Sequence, residues 1–450
     1  MFVAVAFTLF CLACSVLAFT RHPIYGVYFY IATTYVFPPG RWWGYIFHEF
    51  RWALFAAVVT TLAIILNRGK LKPKPLWLSQ GPALILAIYA MWMWIQAPWA
   101  LDVDAHVRGS TEFLKCLFAL WFVYRVADSK EAIRNLMLAH VLGCGLLGVL
   151  AYTIGRSGGR LDGVGGPGID DANTLGMYFA TGALCAIGMA LSHGGWRRYV
   201  SFGSLVLIVN GFVLTNSRGP FLGLAGGMLV LAFCIAQRHR QLFWGFCLLS
   251  GLGLTVVVDK AFVDRMFTIE DVASQDATAD TSARSRLIVA EAQLQMFLDH
   301  PMGAGWRGTV VLSPLYVDRK WLTGDDDTAS RSSHNTFLTA LVEQGIVGAI
   351  IYSSLVLWVF SAMFRSRRLS RSDGDPELAT LVAALVAAIM AVLIAGTAAD
   401  YLTKEVQFWF YALLLSGFWL SSGEQSVVSP VGRSGSLCPL PTPAPARRTR

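Results

Sequence analysis

Charged side chains are scarce in this sequence: Asp, Glu, Lys and Arg make up 14% of the 450 residues, whereas hydrophobic residues make up 55%. A soluble protein of this length cannot cover its surface with so few charges, so the composition predicts an integral membrane protein. The mean hydropathy of +0.54 agrees with this prediction. The composition therefore excludes a soluble enzyme and a soluble nucleic-acid-binding protein.

A cysteine framework and a basic leader are lacking as well. Of the eight Cys residues, all but Cys438 lie inside apolar runs, so we interpret them as buried small hydrophobic residues rather than disulfide partners. The Cys11-x-x-Cys14 pair has no second ligand pair, and it therefore predicts no metal site. The first apolar run, Val3 to Phe19, follows no basic segment, which favours a retained membrane segment over a cleaved signal.

Apolar runs of membrane-crossing length, each roughly 17–25 residues, recur along the chain. They predict an all-α polytopic membrane protein with about 12–13 transmembrane helices. The first two runs are also compatible with a re-entrant pair around Arg21 and His22. The runs are 3–19, 24–37, 50–66, 82–100, 112–127, 133–155, 172–191, 199–215, 219–236, 242–258, 335–364, 378–398 and 402–420.

Basic residues lie in alternate gaps between these runs, which predicts the orientation of the chain. The gap at 67–75 contains only basic charges, and the positive-inside rule assigns it to the cytoplasm. Counting runs from there places the other basic gaps and the tail on the same side. The remaining gaps are acidic, Gly-rich or long, and they fall on the outer side: 101–111, 156–171, 216–218, 259–333 and 399–401. The net charge of +8 is thus explained by orientation rather than by nucleic-acid binding.

The longest outer gap is too long to be a passive connector. Within it, Leu287, Leu294 and Phe297 recur at helical spacing until Pro301, which predicts an amphipathic helix lying on the membrane or over a cavity. The tail is rich in Ser, Pro and Gly and is predicted to be disordered. The predicted organisation is N-terminal transmembrane helices at 1–258, a large outer loop at 259–334, C-terminal transmembrane helices at 335–420 and a disordered cytoplasmic tail at 421–450.

Several Arg residues and one His gather on the predicted outer side. Guanidinium groups bind phosphate oxygens through paired hydrogen bonds and stay charged. Pro220 at the first position of one helix, and Ser332 or Ser333 as the cap of another, would point further N–H groups at an anion. These features predict a diphosphate site, where a nearby His kept neutral by positive charge accepts a proton from an attacking hydroxyl. The candidates are His334 as base and, for substrate binding, Arg218, Arg284, Arg286, Asn335, Asp171 and Asn173.

Simpler interpretations exist for each of these residues. Arg218 at a membrane boundary is typical of an interfacial anchor, and His334 of a solvated loop residue. Asp171 and Asn173 are also typical helix caps. Glu343, inside the following run, either assists His334 from a water-filled cavity or pairs locally. The acidic stretch 325–327 favours a solvated loop over a cation site, because no further ligand spacing accompanies it.

Short motifs in this region resemble a known family. His334-Asn335, nine residues, and Gly345-Ile346-Val347-Gly348 are similar to the H-[NSQ]-x9-G-x-x-G signature of bacterial O-antigen ligases. Three upstream segments resemble other parts of that ligase and polymerase superfamily in the same order, so the resemblance covers most of the chain. They are Val164–Pro167 with Asp171–Asn173, Ser217–Gly219, and Arg286-Leu287 followed by Met296–Pro301 and Gly303–Gly305.

Two features depart from the family pattern: the Trp usual in the loop helix is replaced near Ala290, and the N-terminal segments align poorly. The N-terminal layout and the segment around Asp171 and Asn173 look most similar to the O-glycosylation ligases associated with exosortase and exopolysaccharide systems.

The resemblance implies a GT-C-like, inverting glycosyltransferase that needs neither metal nor cofactor. It would move a glycan from undecaprenyl diphosphate to an acceptor hydroxyl at the periplasmic face of the bacterial inner membrane. Carried over by motif, His334 is the activating base and Arg218 and Arg286 hold the diphosphate, with Arg284 the weaker candidate. The implied partners are the lipid-linked donor, membrane lipid, and lipid A-core, a protein or a glycan as acceptor, with no nucleic acid.

Three functions remain open from the sequence. A ligase and a polymerase of O-antigen or exopolysaccharide repeat units would use the same donor, and the signature at His334 favours the ligase. A transporter of lipid-linked sugars would place charges near the bilayer midplane and often shows an inverted repeat. The runs here are nearly free of charge at mid-span, and no repeat is evident, so transport is the least favoured.

Overall fold

The computed structural model describes residues 2–47, 50–156, 160–161, 163–166, 168–192, 195–237, 239–245, 247–248, 263, 281–325, 329–372 and 374–427. Within these ranges the secondary structure is helical, without a β-strand. An isolated β-bridge joins Thr323 and Ser330. The predicted all-α fold is confirmed.

The helices follow the apolar runs of the sequence closely. Those with described bounds are α1 Phe2–Thr20, α2 Ile24–Val36, α3 Trp52–Leu66, α4 Gly81–Gln96, α5 Val103–Val126, α6 Lys130–Ile154, α7 Ala172–Ser192, α8 Trp196–Thr215, α9 Arg218–Cys234, α10 Thr281–Asp299, α11 Gly308–Tyr316, α12 Thr336–Leu369, α13 Pro376–Ala395 and α14 Glu405–Val427. Helix α10 contains the segment in which helical spacing was expected. The predicted run 242–258 and the tail beyond 427 lie mostly or wholly outside the described residues.

Seven of the described helices are long and apolar enough to cross a membrane: α1, α4 with its 3₁₀ extension, α6, α7, α8, α12 and α13. Helices α3 and α9 are apolar but shorter. A multi-pass membrane protein is therefore confirmed, with fewer candidate spans in the described part than the about 12–13 that the apolar runs predicted. Helix α5 begins well before its apolar run, because Asp102 accepts a hydrogen bond from Ala105 N (2.8 Å) and caps the more polar first turns.

Helices α7 and α13 form the centre of the described bundle. Nearly all of their residues are buried, and α13 packs against both α7 and α9. The sequence of α13 explains this position, because its many Ala residues allow close approach of the neighbouring helices. Gly188 of α7 lies directly against Ala384, where a larger side chain would overlap.

The basic gaps meet at one end of the bundle. Lys74 Nζ donates hydrogen bonds to Tyr124 O (2.7 Å), Ala127 O (2.8 Å) and Ser416 Oγ (2.8 Å), joining the end of α5 to the middle of α14. Lys130 forms an ion pair with Asp375 (2.5 Å). Residues predicted for one side of the membrane are thus neighbours in the fold, and the gaps predicted for the other side meet at the site described next.

Candidate functional site

Helix α12 is broken at Gly345, whose φ of 66° and ψ of −167° are not helical. The break releases backbone carbonyls, and the segment after α10 binds two of them: Ala304 N donates to Val342 O and Gly305 N to Glu343 O, both at 2.9 Å. The freed N–H of Ile346 donates to Pro301 O, also at 2.9 Å. The loop that follows α10 is therefore held inside the break in α12.

A cavity of about 460 Å³ lies beside this junction. It is bounded by the starts of α7 and α12, the connection between α13 and α14, and the start of α11. The predicted outer gaps therefore supply its wall. Its lining residues are Arg160, Asp171, Ala172, Asn173, Thr174, Trp306, Arg307, Val310, Ser332, Ser333, His334, Thr339, Glu343, Ala399, Asp400 and Lys404.

His334 lines the cavity in a strained conformation, with a φ of 52° in the left-handed region. Burial lowers the pKa of its imidazole below the usual 6.5, and the charges of Arg286 and Arg331 lower it further. Asp171 opposes this shift. The ring is therefore held in its neutral form near neutral pH, in which one ring nitrogen can accept a proton.

The residue after His334 caps helix α12. Asn335 Oδ1 accepts hydrogen bonds from Phe337 N (2.9 Å) and Leu338 N (3.1 Å). The expectation that Ser332 or Ser333 caps this helix is wrong, because the chain turns into the helix only after His334. Ser333 Oγ instead bonds to the backbone of Asn335, accepting from its N (3.2 Å) and donating to its O (2.9 Å).

A second wall consists of the junction between the α10 loop and α11. Arg307 also has a left-handed backbone, with a φ of 62°, and precedes the first residue of α11. The carboxyl group of Glu343 lies next to the backbone N–H groups of Arg307 and Thr309 at this helix start. A carboxyl oxygen is a suitable acceptor there, because the first N–H groups of a helix have no partner within it. Glu343 thus joins α12 to α11 at the edge of the cavity.

The start of α7 forms a third wall, where Asp171 and Asn173 have structural tasks. Asp171 Oδ1 caps the helix by accepting from Asn173 N (2.9 Å) and Thr174 N (3.0 Å). Asn173 Oδ1 accepts from Arg160 Nη2 (2.9 Å) and Ser217 Oγ (2.6 Å). The capping interpretation is therefore confirmed for Asp171 and wrong for Asn173, which lies inside α7. Both residues also line the cavity.

The connection between α13 and α14 forms a further wall of the cavity and contributes one acidic residue, Asp400, and one basic residue, Lys404. Burial raises the pKa of the Asp400 carboxyl group above its usual value. Lys404 Nζ donates to Gly168 O (3.1 Å), which ties this connection to the loop before α7. Tyr401 OH donates to Asn173 O (2.9 Å) and adds a second tie.

The predicted arginines take different positions. Arg218 is the buried first residue of α9, so Pro220 occupies the third helical position and not the predicted first. Arg286 lies on α10, close enough for its charge to act on His334. Neither side chain is among the described residues that line the cavity. Arg284 also belongs to α10, but its side chain lies outside what the structure describes.

Three cationic residues of the cavity were missed by the sequence analysis: Arg160, Arg307 and Lys404. Each lies in or beside a predicted outer gap, but in none of the motifs that resemble the family. A signal existed for Arg307, which comes two residues after the Gly303–Gly305 segment. In the described residues, no group of three or more His, Cys, Asp or Glu side chains is placed to hold a metal ion.

The helical bundle and its polar end cavity define a multi-pass membrane protein with a candidate site between helix ends. Residues 203–353 match the family model Wzy_C, described as O-Antigen ligase. The matched part covers less than half of the chain but includes Arg218, Arg286, His334 and the break at Gly345, and it supports a similarity to the O-antigen ligase-like superfamily. The family indicates a glycosyltransferase-like enzyme that acts on lipid-linked glycans. No curated protein matches the chain.

Proposed function

We propose that the chain transfers a glycan from undecaprenyl diphosphate to an acceptor hydroxyl in this cavity, with His334 as the base. The observation that carries the proposal is the position of His334, which lines the cavity while burial and three nearby arginines lower its pKa. A base must be unprotonated before it can accept a proton, so a lowered pKa keeps it competent at neutral pH.

In the proposed step, the acceptor oxygen attacks the anomeric carbon and its proton passes to the His334 imidazole. The bond between that carbon and the diphosphate oxygen breaks, and undecaprenyl diphosphate leaves with the electron pair. One displacement inverts the anomeric configuration. The negative charge on the leaving group needs positive partners that are already in place.

Arginines supply that positive charge in the proposal. Arg218 and Arg286 are assigned to the diphosphate by motif, and Arg286 is supported by its electrostatic effect on His334. Arg160, Arg307 and Lys404 add charge at the cavity itself. Guanidinium groups bind diphosphate oxygens in pairs, so the proposed reaction needs no metal ion.

The proposed membrane orientation follows from charge. The basic gaps meet at the end of the bundle opposite the cavity, and basic ends face the cytoplasm. The cavity would therefore open on the periplasmic side of the inner membrane. Lipid A-core, a protein or a glycan would be the acceptor, and similarity of the Asp171 segment to exosortase-associated ligases favours the O-glycosylation ligase subgroup.

The test is reconstitution of the purified chain in liposomes with labelled undecaprenyl-diphosphate glycan and candidate acceptors. The expected product carries the label on a non-prenyl acceptor. Growth of longer glycans that remain on the lipid would replace the ligase proposal by the polymerase alternative. Movement of unreacted labelled lipid between leaflets, without either product, would overturn the enzyme proposal in favour of transport.

A further inference from the structure

His106 is buried on α5 and bridges two other parts of the fold. It is fully buried and lies on the first turn of that helix, outside the signature motifs. Its Nδ1 lies 2.8 Å from Trp306 N, and its Nε2 lies 2.7 Å from Met93 O. A backbone N–H only donates and a carbonyl only accepts, so the ring proton belongs on Nε2. Both ring nitrogens are thus occupied in one defined tautomer.

The end of α4 makes the Met93 carbonyl available. Ala97 N donates to Trp94 O instead of Met93 O, because the chain tightens into a 3₁₀ turn there. His106 Nε2 donates a hydrogen bond to this released carbonyl, and His106 Nδ1 accepts one from the Trp306 N–H. It therefore connects a membrane helix to the loop that is held in the break of α12.

The side chain of Trp306 also packs against α5. Gly109 lies one turn after His106, and a Cβ at that position would overlap the Trp306 indole ring. Helix α5 thus offers a hydrogen-bond acceptor for the backbone of Trp306 and a flat surface for its ring. The two contacts fix the residue that directly precedes the strained Arg307.

We infer that His106 is a positioning residue, which sets the Trp306–Arg307 wall of the cavity that His334 also lines, through the hydrogen bond from Trp306 N to His106 Nδ1. Trp306 and Arg307 line the cavity, and Glu343 lies at the start of α11 immediately beyond them. Loss of the acceptor leaves a buried N–H unpaired, so the loop has to move to find another partner. The inference rests on the proposed function only in taking this cavity as the place of transfer.

Two isosteric variants separate the two hydrogen bonds. His106→Asn retains an acceptor where Nδ1 stands, whereas His106→Gln retains a donor where Nε2 stands and removes the acceptor for Trp306. We expect His106→Gln to lower kcat/KM by about 10²-fold, the size of effect that a small misplacement of catalytic groups produces. His106→Asn is expected to stay within several-fold of the wild type.

The direct readout is hydrogen–deuterium exchange in the peptide that carries Trp306. Exchange should accelerate in His106→Gln and remain close to the wild type in His106→Asn. Equal exchange and equal activity in the two variants would overturn the inference. Should both variants fail to fold, Gly109→Ala takes their place: it favours the helix and leaves His106 intact, but displaces the Trp306 ring. Normal kcat/KM in folded Gly109→Ala would likewise count against the positioning role.

A double-mutant cycle with Glu343→Gln distinguishes positioning from a loss of general stability. If His106 acts through this wall, the effects of His106→Gln and Glu343→Gln on kcat/KM are less than additive. His140→Asn is the control, since His140 is equally buried but bonds to Tyr35 within the bundle; its effect should add to that of Glu343→Gln. Additive effects for His106→Gln would contradict the inference. Normal transfer by His334→Ala would instead remove the proposed function, without changing exchange at Trp306.

Discussion

Gly303 and Gly345 face each other so closely that neither position has room for a side chain. A Cβ on Gly345 would stand 2.5 Å from Gly303 N, and a Cβ on Gly303 would stand 2.6 Å from Gly345 N. Both residues also have a positive φ, 92° for Gly303 and 66° for Gly345. The pair explains why two motifs far apart in the sequence both require glycine: one residue breaks α12 and the other enters the break.

Gly345→Ala should destabilise the protein and abolish transfer. Its backbone region is essentially restricted to glycine, with a cost of about 1–3 kcal/mol for another residue, and the added methyl group would also overlap the loop. Thermal unfolding in detergent, followed with the transfer assay, measures both effects.

Gly203→Ala is the matched control for this prediction, because it lies in α8 with open space around it. It should be neutral or more stable by about 0.5–1 kcal/mol, since Ala favours a helix over Gly. Equal stability of the Gly345 and Gly203 variants would show that the break in α12 is not needed.

Most helices could be predicted from the sequence, because the length of an apolar run and the residues that end it are local features of the chain. Asp102 shows the limit: its cap starts α5 nine residues before the apolar run, in a stretch too polar for hydropathy to reveal. The predicted number of spans stays a prediction, because α3 and α9 are apolar but short and the run 242–258 lies mostly outside the described residues.

The site was predictable only where a motif carried it. His334, Asp171 and Asn173 were found and do line one cavity. Arg160 and Lys404 were not, because each reaches the cavity through tertiary contacts, to Asn173 and to Gly168, that no local pattern encodes. The position of His106 depends on the same kind of contact.

Asn335 should prove to be a cap. Asn335→Ser retains an acceptor for the first N–H groups of α12 and should leave stability nearly unchanged, whereas Asn335→Ala should cost about 0.5–2 kcal/mol. Chemical denaturation compares the two variants. If Asn335→Ser is as stable as the wild type but does not bind the donor, Asn335 contacts the substrate as the sequence predicted.

The acid limb of the rate profile should report the charges around His334. Because the neutral imidazole is the base, transfer is lost as pH falls through the pKa of His334. Arg331→Gln removes a charge that lowers this pKa, so the limb should move to higher pH. Asp171→Asn removes a charge that raises it and keeps a capping side chain, so the limb should move to lower pH. If the acid limbs of kcat/KM in the two variants shift in the same direction, or neither limb shifts, His334 is not the titrating group.

Arg218→Lys and Arg286→Lys should each weaken diphosphate binding while keeping the charge. Lys cannot form the paired hydrogen bonds of a guanidinium group, so KM for the donor should rise. The steady-state KM of each variant, measured with a fixed acceptor, checks this. Full activity in both Lys variants would remove these arginines from the site.

The most direct test of the account is the transfer rate of His334→Ala in proteoliposomes with labelled donor and acceptor. The rate should fall by about 10²–10⁴-fold, the usual contribution of a general base. Insertion and thermal stability should remain unchanged. His22→Ala, which alters a His at the opposite end of the bundle beside Asp128, should transfer at the wild-type rate. A His334→Ala protein that transfers as fast as the wild type would contradict the central claim.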